Sequence, residues 1–229
     1  YAADSGYVDM VSYLLAKNAN PNIKISGGTT ALLQAAGKGY YSIVETLIKA
    51  NADLRLSGIY RSGNNDGIDY NMTPLMIAAF NNHDLIVKLL LDNGSEINRI
   101  NEYGANALFY AIANGNTETA KMLLENGGDA NISATYGTYG NITPLALASS
   151  LGDTDLISSL LIGKANINHI MNNGRTALIW AALSSESEAV ATLINARADL
   201  NIADNDGKTA LMFAAKNGDY NSVEYLINA

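Results

Sequence analysis

The chain contains no cysteine. Disulfides, thiolate metal sites and a cysteine nucleophile are therefore excluded. The absence leaves the compartment open, since proteins inside and outside the cell can lack cysteine. Basic residues are also scarce, with 14 Lys and Arg against 22 Asp and Glu, a formal net charge of -8. An acidic surface repels phosphate backbones and anionic bilayers, so neither nucleic acid nor a membrane is the expected partner. No apolar run approaches the roughly 20 residues that span a bilayer, and no charged start followed by an apolar stretch resembles a signal peptide. No Gly-rich phosphate cradle with a following Lys is present, because Gly27-Gly28-Thr29-Thr30 lacks the Lys.

Hydrophobic residues make up 48% of the chain and charged residues 16%, a balance that supports a packed core rather than disorder. The apolar positions carry a long period. A Thr followed by Ala or Pro and then Leu stands at Thr30-Ala31-Leu32, Thr73-Pro74-Leu75, Thr143-Pro144-Leu145, Thr176-Ala177-Leu178 and Thr209-Ala210-Leu211, with Asn106-Ala107-Leu108 as a variant. Steps from 73 to 106, 143 to 176 and 176 to 209 are each 33, and the steps of 43 and 37 read as the same period with inserts of ten and four residues. In the same register, apolar residues fall at i, i+3, i+4, one helix face: Val11/Leu14/Leu15, Val44/Leu47/Ile48, Val87/Leu90/Leu91, Ala120/Leu123/Leu124, Ile157/Leu160/Leu161, Val190/Leu193/Ile194 and Val223/Leu226/Ile227. Seven such sets predict seven units, at about 1–26, 27–69, 70–102, 103–139, 140–172, 173–205 and 206–229, with inserts at about 57–69 and 134–139.

Each unit builds from its residues. The leading Thr suits an N-cap, and Pro or Ala suits the first helical position. Small pairs such as Ala35-Ala36 and Ala78-Ala79 let neighbouring helices approach closely. Gly39, Asn82, Gly115, Gly152 or Gly218 then breaks the chain before a second helix. A polar Asn, Asp and Gly stretch follows, suited to a tight turn or hairpin.

These features resemble the ankyrin-repeat family, on Gly174-Arg175-Thr176-Ala177-Leu178 with Ala181-Ala182, and on Asn114-Gly115-Asn116 with Leu123 through Asn131. The resemblance covers essentially the whole chain, and its strength lies in copies that agree in register. It implies an all-α ankyrin-repeat solenoid of helix–turn–helix units of about 33 residues with short β-hairpin loops, in one domain over 1–229. It further implies a role in protein–protein contact. The sequence departs from the family where His often follows the Thr-Pro-Leu triplet. Leu33, Met76, Phe109, Ala146, Ile179 and Met212 stand there and predict apolar packing. After the second helix, a left-handed residue is needed. Gly94, Gly127, Asn18 and Asn51 suit it, whereas Lys164 and Arg197 do not. Those two are predicted to carry roughly 1–2 kcal/mol of strain each, or the turn there differs. The chain starts inside a first helix at Tyr1-Ala2-Ala3, without a polar capping repeat at either end. A piece, or the ordered part, of a longer protein is the expectation.

The candidates for chemistry are few. His83 in an inter-helix turn and His169 in a hairpin lie far apart, and both are expected to be structural. Ser62 through Asp69 offers nothing stronger than an incomplete calcium loop, since Thr73 stands where a bidentate Glu is needed. Asn98, Asn131, Asn168 and Asn201 recur in the hairpins. Similar positions in animal family members can be hydroxylated, but hairpin hydrogen bonding explains each copy here. No catalytic residue, cofactor or metal is expected.

First helices and hairpins line the concave side of such stacks. The position four after the cap, exposed in family members, holds Gln34, Ile77, Tyr110, Leu147, Trp180 and Phe213. Nearby stand Phe80, Leu151 and Leu183, with Tyr103 and Tyr139 in the hairpins. Exposed aromatic rings are typical interface anchors. The predicted partner-binding set is Ile77, Phe80, Tyr103, Tyr110, Tyr139, Leu151, Trp180, Leu183 and Phe213, with core packing between neighbouring first helices as the competing reading of the rings. The inserts add Tyr60, Arg61, Tyr70 and Tyr136. The expected function is a non-catalytic scaffold that binds a protein or peptide, as a monomer, with a cytoplasmic location and export as the other choice. The alternative is the regulatory or targeting arm of a larger enzyme or multidomain protein. Abundant Asn with little Arg fits an AT-rich genome, with a bacterium as one such source.

Overall fold

The computed structural model describes residues 1–60, 70–137 and 140–229. Arg61, the calcium-like stretch Ser62 through Asp69, and Tyr139 lie outside the described residues. The described residues form two compact units, Tyr1–Glu102 with Asn106–Gly128, and Tyr103–Ala105 with Asp129–Ala229.

The first unit holds helices α1 (Val8–Ala16), α2 (Ala31–Lys38), α3 (Tyr41–Lys49), α4 (Pro74–Phe80), α5 (Asp84–Asp92), α6 (Ala107–Ala113) and α7 (Thr117–Glu125), with strands β1 (Gly58–Tyr60) and β2 (Tyr70–Met72). The second holds β3 (Ala134–Tyr136) and β4 (Gly140–Ile142), then α8 (Pro144–Ser150), α9 (Thr154–Ile162), α10 (Ala177–Leu183), α11 (Ser187–Asn195), α12 (Ala210–Asn217) and α13 (Tyr220–Asn228). Within each unit the first helices pack in series, α2 on α4 on α6 and α8 on α10 on α12, and so do the second helices, α1 on α3 on α5 on α7 and α9 on α11 on α13. Helices of seven to nine residues are too short to persist alone in water, where about 12–15 residues are marginal. Their stability comes from burying one helix face against the neighbouring repeat.

The predicted caps form. The side chains of Thr30, Thr73, Asn106, Thr143 and Thr176 accept from the N–H three residues on, each worth about 1 kcal/mol. Pro74 and Pro144 occupy the first helical turn. Thr209 keeps the extended cap backbone, but its side chain makes no cap bond. The residues replacing the family His pack as predicted: Leu33, Met76, Phe109, Ala146 and Ile179 are buried. Met212 is the exception and is exposed.

The turn after the second helix is left-handed throughout. Asn18, Asn51, Gly94 and Gly127 have φ of 62°, 61°, 84° and 90°, and Lys164 and Arg197 have 64° and 66°. The turn at Lys164 and Arg197 therefore does not differ, and both residues adopt the strained backbone. Among the described residues, strands form only where an insert lengthens a connection, as two antiparallel pairs with Ile59 opposite Asn71 and Thr135 opposite Asn141. The shorter connections of the second unit are turns. Two of them are joined to the following connection by a single backbone bond, from Thr135 N–H of β3 to the Tyr103 carbonyl at 2.9 Å and from Asn205 N–H to the Asn173 carbonyl at 3.1 Å.

The expectation of an exposed row on the first helices is overturned. Ile77, Tyr110, Leu147, Trp180 and Phe213 are all buried. Gln34, at the same position of the first repeat to carry it, is half-buried.

Candidate functional site

In the first unit, the hairpin before α4 leans over the end of α2. Gly37 in α2 admits this approach, because a Cβ there would lie 2.8 Å from Ile77 Cγ2 and 3.0 Å from Tyr60 Cε2. Tyr60 stands edge to face with Phe80 at 6.2 Å between centroids, and Phe80 with Tyr110 at 6.0 Å. Such pairs add roughly 0.5–1.5 kcal/mol beyond burial. Asn81 Nδ2 donates to Tyr60 Oη at 3.0 Å, and Asn101 Nδ2 donates to Tyr110 Oη at 2.6 Å. Tyr110, buried, also meets Phe109 edge to face at 6.4 Å, while Tyr60 and Phe80 stay partly exposed.

Beside these rings opens a cleft of about 540 Å³ lined by Ile25, Thr29, Gln34, Lys38, Ile59 and Tyr60, among others. Ile25 is 60% exposed and Ile59 39% exposed. Lys38 pairs with Asp4 at 3.0 Å, and the hydrogen bond from Lys38 to Asp4 raises its ammonium above the ordinary lysine range. The cleft combines an apolar wall with a cation and an amide.

In the second unit the rings are covered from another direction. The Arg175 guanidinium lies over Trp180 at 5.1 Å and over Phe213 at 5.4 Å. Asp204 Oδ2 is 3.7 Å from Arg175 Nε, beyond hydrogen-bond reach. Asp204 Oδ1 instead accepts from the N–H groups of Lys208 at 2.9 Å and Asp206 at 3.0 Å. Burial opposes the charged form of Asp204. These N–H groups and the charges of Arg175 and Lys208 outweigh it and hold the carboxyl below its ordinary range. Arg175 sits just before the cap Thr176 and five residues before Trp180. Its place in the recurring Gly-x-Thr stretch was the signal available in the sequence, but nothing there marked it as the residue that shields the rings.

The remaining predicted residues are dispersed. Phe80 and Leu183 are half-buried at the C-terminal ends of α4 and α10. Leu151, just after α8, is 48% exposed. Tyr103 is half-buried. His83 takes the expected structural role, with Nε2 3.1 Å from the Gly37 carbonyl, to which it donates. Among the described residues, no group of three or more His, Asp or Glu side chains is arranged to hold a metal ion.

The comparisons agree with this geometry. The sequence matches the family described as "Ankyrin repeats (3 copies)" over residues 56–134 and 141–229, and that described as "Ankyrin repeats (many copies)" over residues 1–48. A relative from Caenorhabditis elegans, "Ankyrin repeat and KH domain-containing protein mask-1", is 32% identical over 107 residues, 47% of this chain and 4% of the relative. The mouse "B-cell lymphoma 3 protein homolog" is 33% identical over 78 residues, 34% of this chain and 15% of its own length. The rice "Probable E3 ubiquitin-protein ligase XBOS32" is 31% identical over 91 residues, 40% of this chain and 16% of its own. The chain thus spans only a small part of each of these relatives.

Proposed function

The chain belongs to the ankyrin-repeat family, and we propose that it is a non-catalytic scaffold that binds a protein or peptide on its concave, first-helix side. Ankyrin repeats generally mediate contact between proteins. The observation that carries the finer reading is the cleft of the first unit, where Ile25, Ile59 and Tyr60 face Gln34 and Lys38. Apolar anchors beside a few polar groups suit an extended segment of a partner. Phe80 of the same unit remains accessible to contribute, and in the second unit Leu151, Leu183 and Tyr103 are accessible in their own right. Ile77 and Tyr110 in the first unit and Trp180 and Phe213 in the second are buried, and in this reading they serve the core of their own unit and do not touch the partner. The net charge of -8 disfavours nucleic acid as that partner.

The second reading, a targeting arm of a larger protein, is favoured by one observation: the match to the ligase relative occupies 16% of that protein's length. In that case the same surface would deliver a partner to a catalytic domain elsewhere. The test is capture from a lysate of the source organism by the wild-type chain beside Ile25→Glu/Ile59→Glu, with helix content checked by circular dichroism. A protein retained by the wild type and lost by the folded variant supports the cleft. Equal retention by both sinks the cleft as the site.

A further inference from the structure

We propose that Arg175, lying over Trp180 and Phe213, is the anchor for a carboxylate carried by the partner. This rests on the scaffold reading above and names the chemistry of one contact within it.

The guanidinium is fixed without being satisfied. Two aromatic rings lie 5.1 and 5.4 Å from its central carbon, and the side chain retains 26% exposure. A contact with aromatic rings uses none of the five N–H donors of the guanidinium as a hydrogen bond to an acceptor oxygen and leaves them for other contacts. None of those donors makes a hydrogen bond within the chain among the described residues, and Nε is buried with no partner. Asp204 pairs with the guanidinium in charge but accepts no hydrogen bond from it. Asp204 is held back by the N–H groups of Lys208 and Asp206, which leaves its Oδ2 3.7 Å from Nε.

A buried donor left without an acceptor is costly, and a pre-positioned guanidinium loses little further freedom on binding. The acceptor that matches the two-pronged edge of Arg is a carboxylate, which takes two parallel N–H bonds. Asp204 keeps the site near charge balance before binding, so the gain on binding comes from the hydrogen bonds more than from net charge. The carboxylate belongs to an Asp or Glu side chain or to the end of a partner chain.

The chain has 1 Trp, so its fluorescence reports this site alone. The experiment titrates the whole chain with sodium acetate replacing sodium chloride at constant ionic strength. It follows Trp180 emission together with the side-chain Nε–Hε resonance of Arg175. The expected result is a saturable change with acetate and none with acetamide. Arg175→Met should raise the half-saturation concentration at least tenfold. Arg175→Lys, which keeps the charge and the packing stem but lacks the fork, should fall between. No change in the wild type, an equal response to acetamide, or an unaltered response in Arg175→Met overturns the proposal.

Two peptides then separate the sources. One has blocked ends and a single Glu, and the other has no acidic side chain and an open C-terminus. A response to either supports the site and identifies its source, and silence to both overturns it. Loss of the acetate response with partner capture intact defeats this site and leaves the scaffold reading standing. The reverse result defeats the scaffold reading and leaves the site.

Discussion

The side-chain amide of Asn131 donates to the main-chain carbonyl of Lys164 over 3.0 Å, and its Oδ1 accepts from the N–H of Asn166 over 2.8 Å. The pairing recurs with Asn22, which reaches the Asn51 carbonyl and the Asp53 N–H, and with Asn98, which reaches the Gly127 carbonyl. Asn168 accepts from the Asp199 N–H in the same way. One amide thus tethers a hairpin to the left-handed turn of the next repeat. Hairpin hydrogen bonding, the expected role of these Asn residues, holds for Asn98, Asn131 and Asn168.

Asn131→Ala removes both bonds, and each exchanges for water on loss, so the expected cost is about 1–2 kcal/mol. Asn131→Asp keeps the acceptor and loses the donor, and should fall between wild type and Asn131→Ala. Urea midpoints at equal slope measure both. Wild-type midpoints for the two variants would mean that the bridge contributes nothing.

The same turns carry the strain at Lys164 and Arg197. Replacing either with Gly relieves the left-handed Cβ penalty of roughly 1–2 kcal/mol, while the added freedom of the unfolded chain takes back part of it. The net expectation is a gain of about 0.5–1 kcal/mol for each, close to additive in the double variant because the residues occupy different repeats. Gly94→Lys should lose a comparable amount. Thermal midpoints decide, and a fall on Lys164→Gly would show that the Lys side chain compensates for its backbone.

Gly37→Ala runs against the usual gain from Gly to Ala in a helix. The new methyl would meet Ile77 Cγ2 at 2.8 Å and the Tyr60 ring at 3.0 Å, so overpacking of about 1–3 kcal/mol is expected to exceed the propensity term. Ile77→Ala removes the nearer obstacle. The double variant should therefore be more stable than the sum of the two single losses predicts, and strict additivity would refute the contact.

Much of the architecture was legible because it depends on residues close in sequence. Thr73 reads as a cap from its own neighbours, and register marks the place of Lys164 as one that needs a left-handed residue, although the Lys itself left a different turn open. What lies over Tyr110 or Trp180 depends on residues of adjacent repeats, Phe80 in one case and Arg175 and Phe213 in the other. Periodicity identifies the face on which a ring stands, but not the side chain that covers it. The strand pairs were legible only as hairpins in general. The inserts alone provide enough extended chain for a ladder, which repeat spacing does not reveal.

Asp204 supplies a pH signature. Its carboxyl is held below the ordinary range, so the folded chain binds this proton less readily than the unfolded chain. The resulting stability is fully present above the unfolded carboxylate value of about 3.9 and is lost as pH falls through the lower folded value. Asp204→Asn preserves an oxygen for the Lys208 and Asp206 N–H groups and removes the charge facing Arg175. The variant should be less stable than wild type at about pH 7, and the gap should narrow at about pH 3 as the wild-type carboxyl protonates. A narrowing gap in urea midpoints assigns the contribution to charge. A gap of constant size assigns it to the shape of the turn, because a bond to a neutral amide oxygen does not titrate.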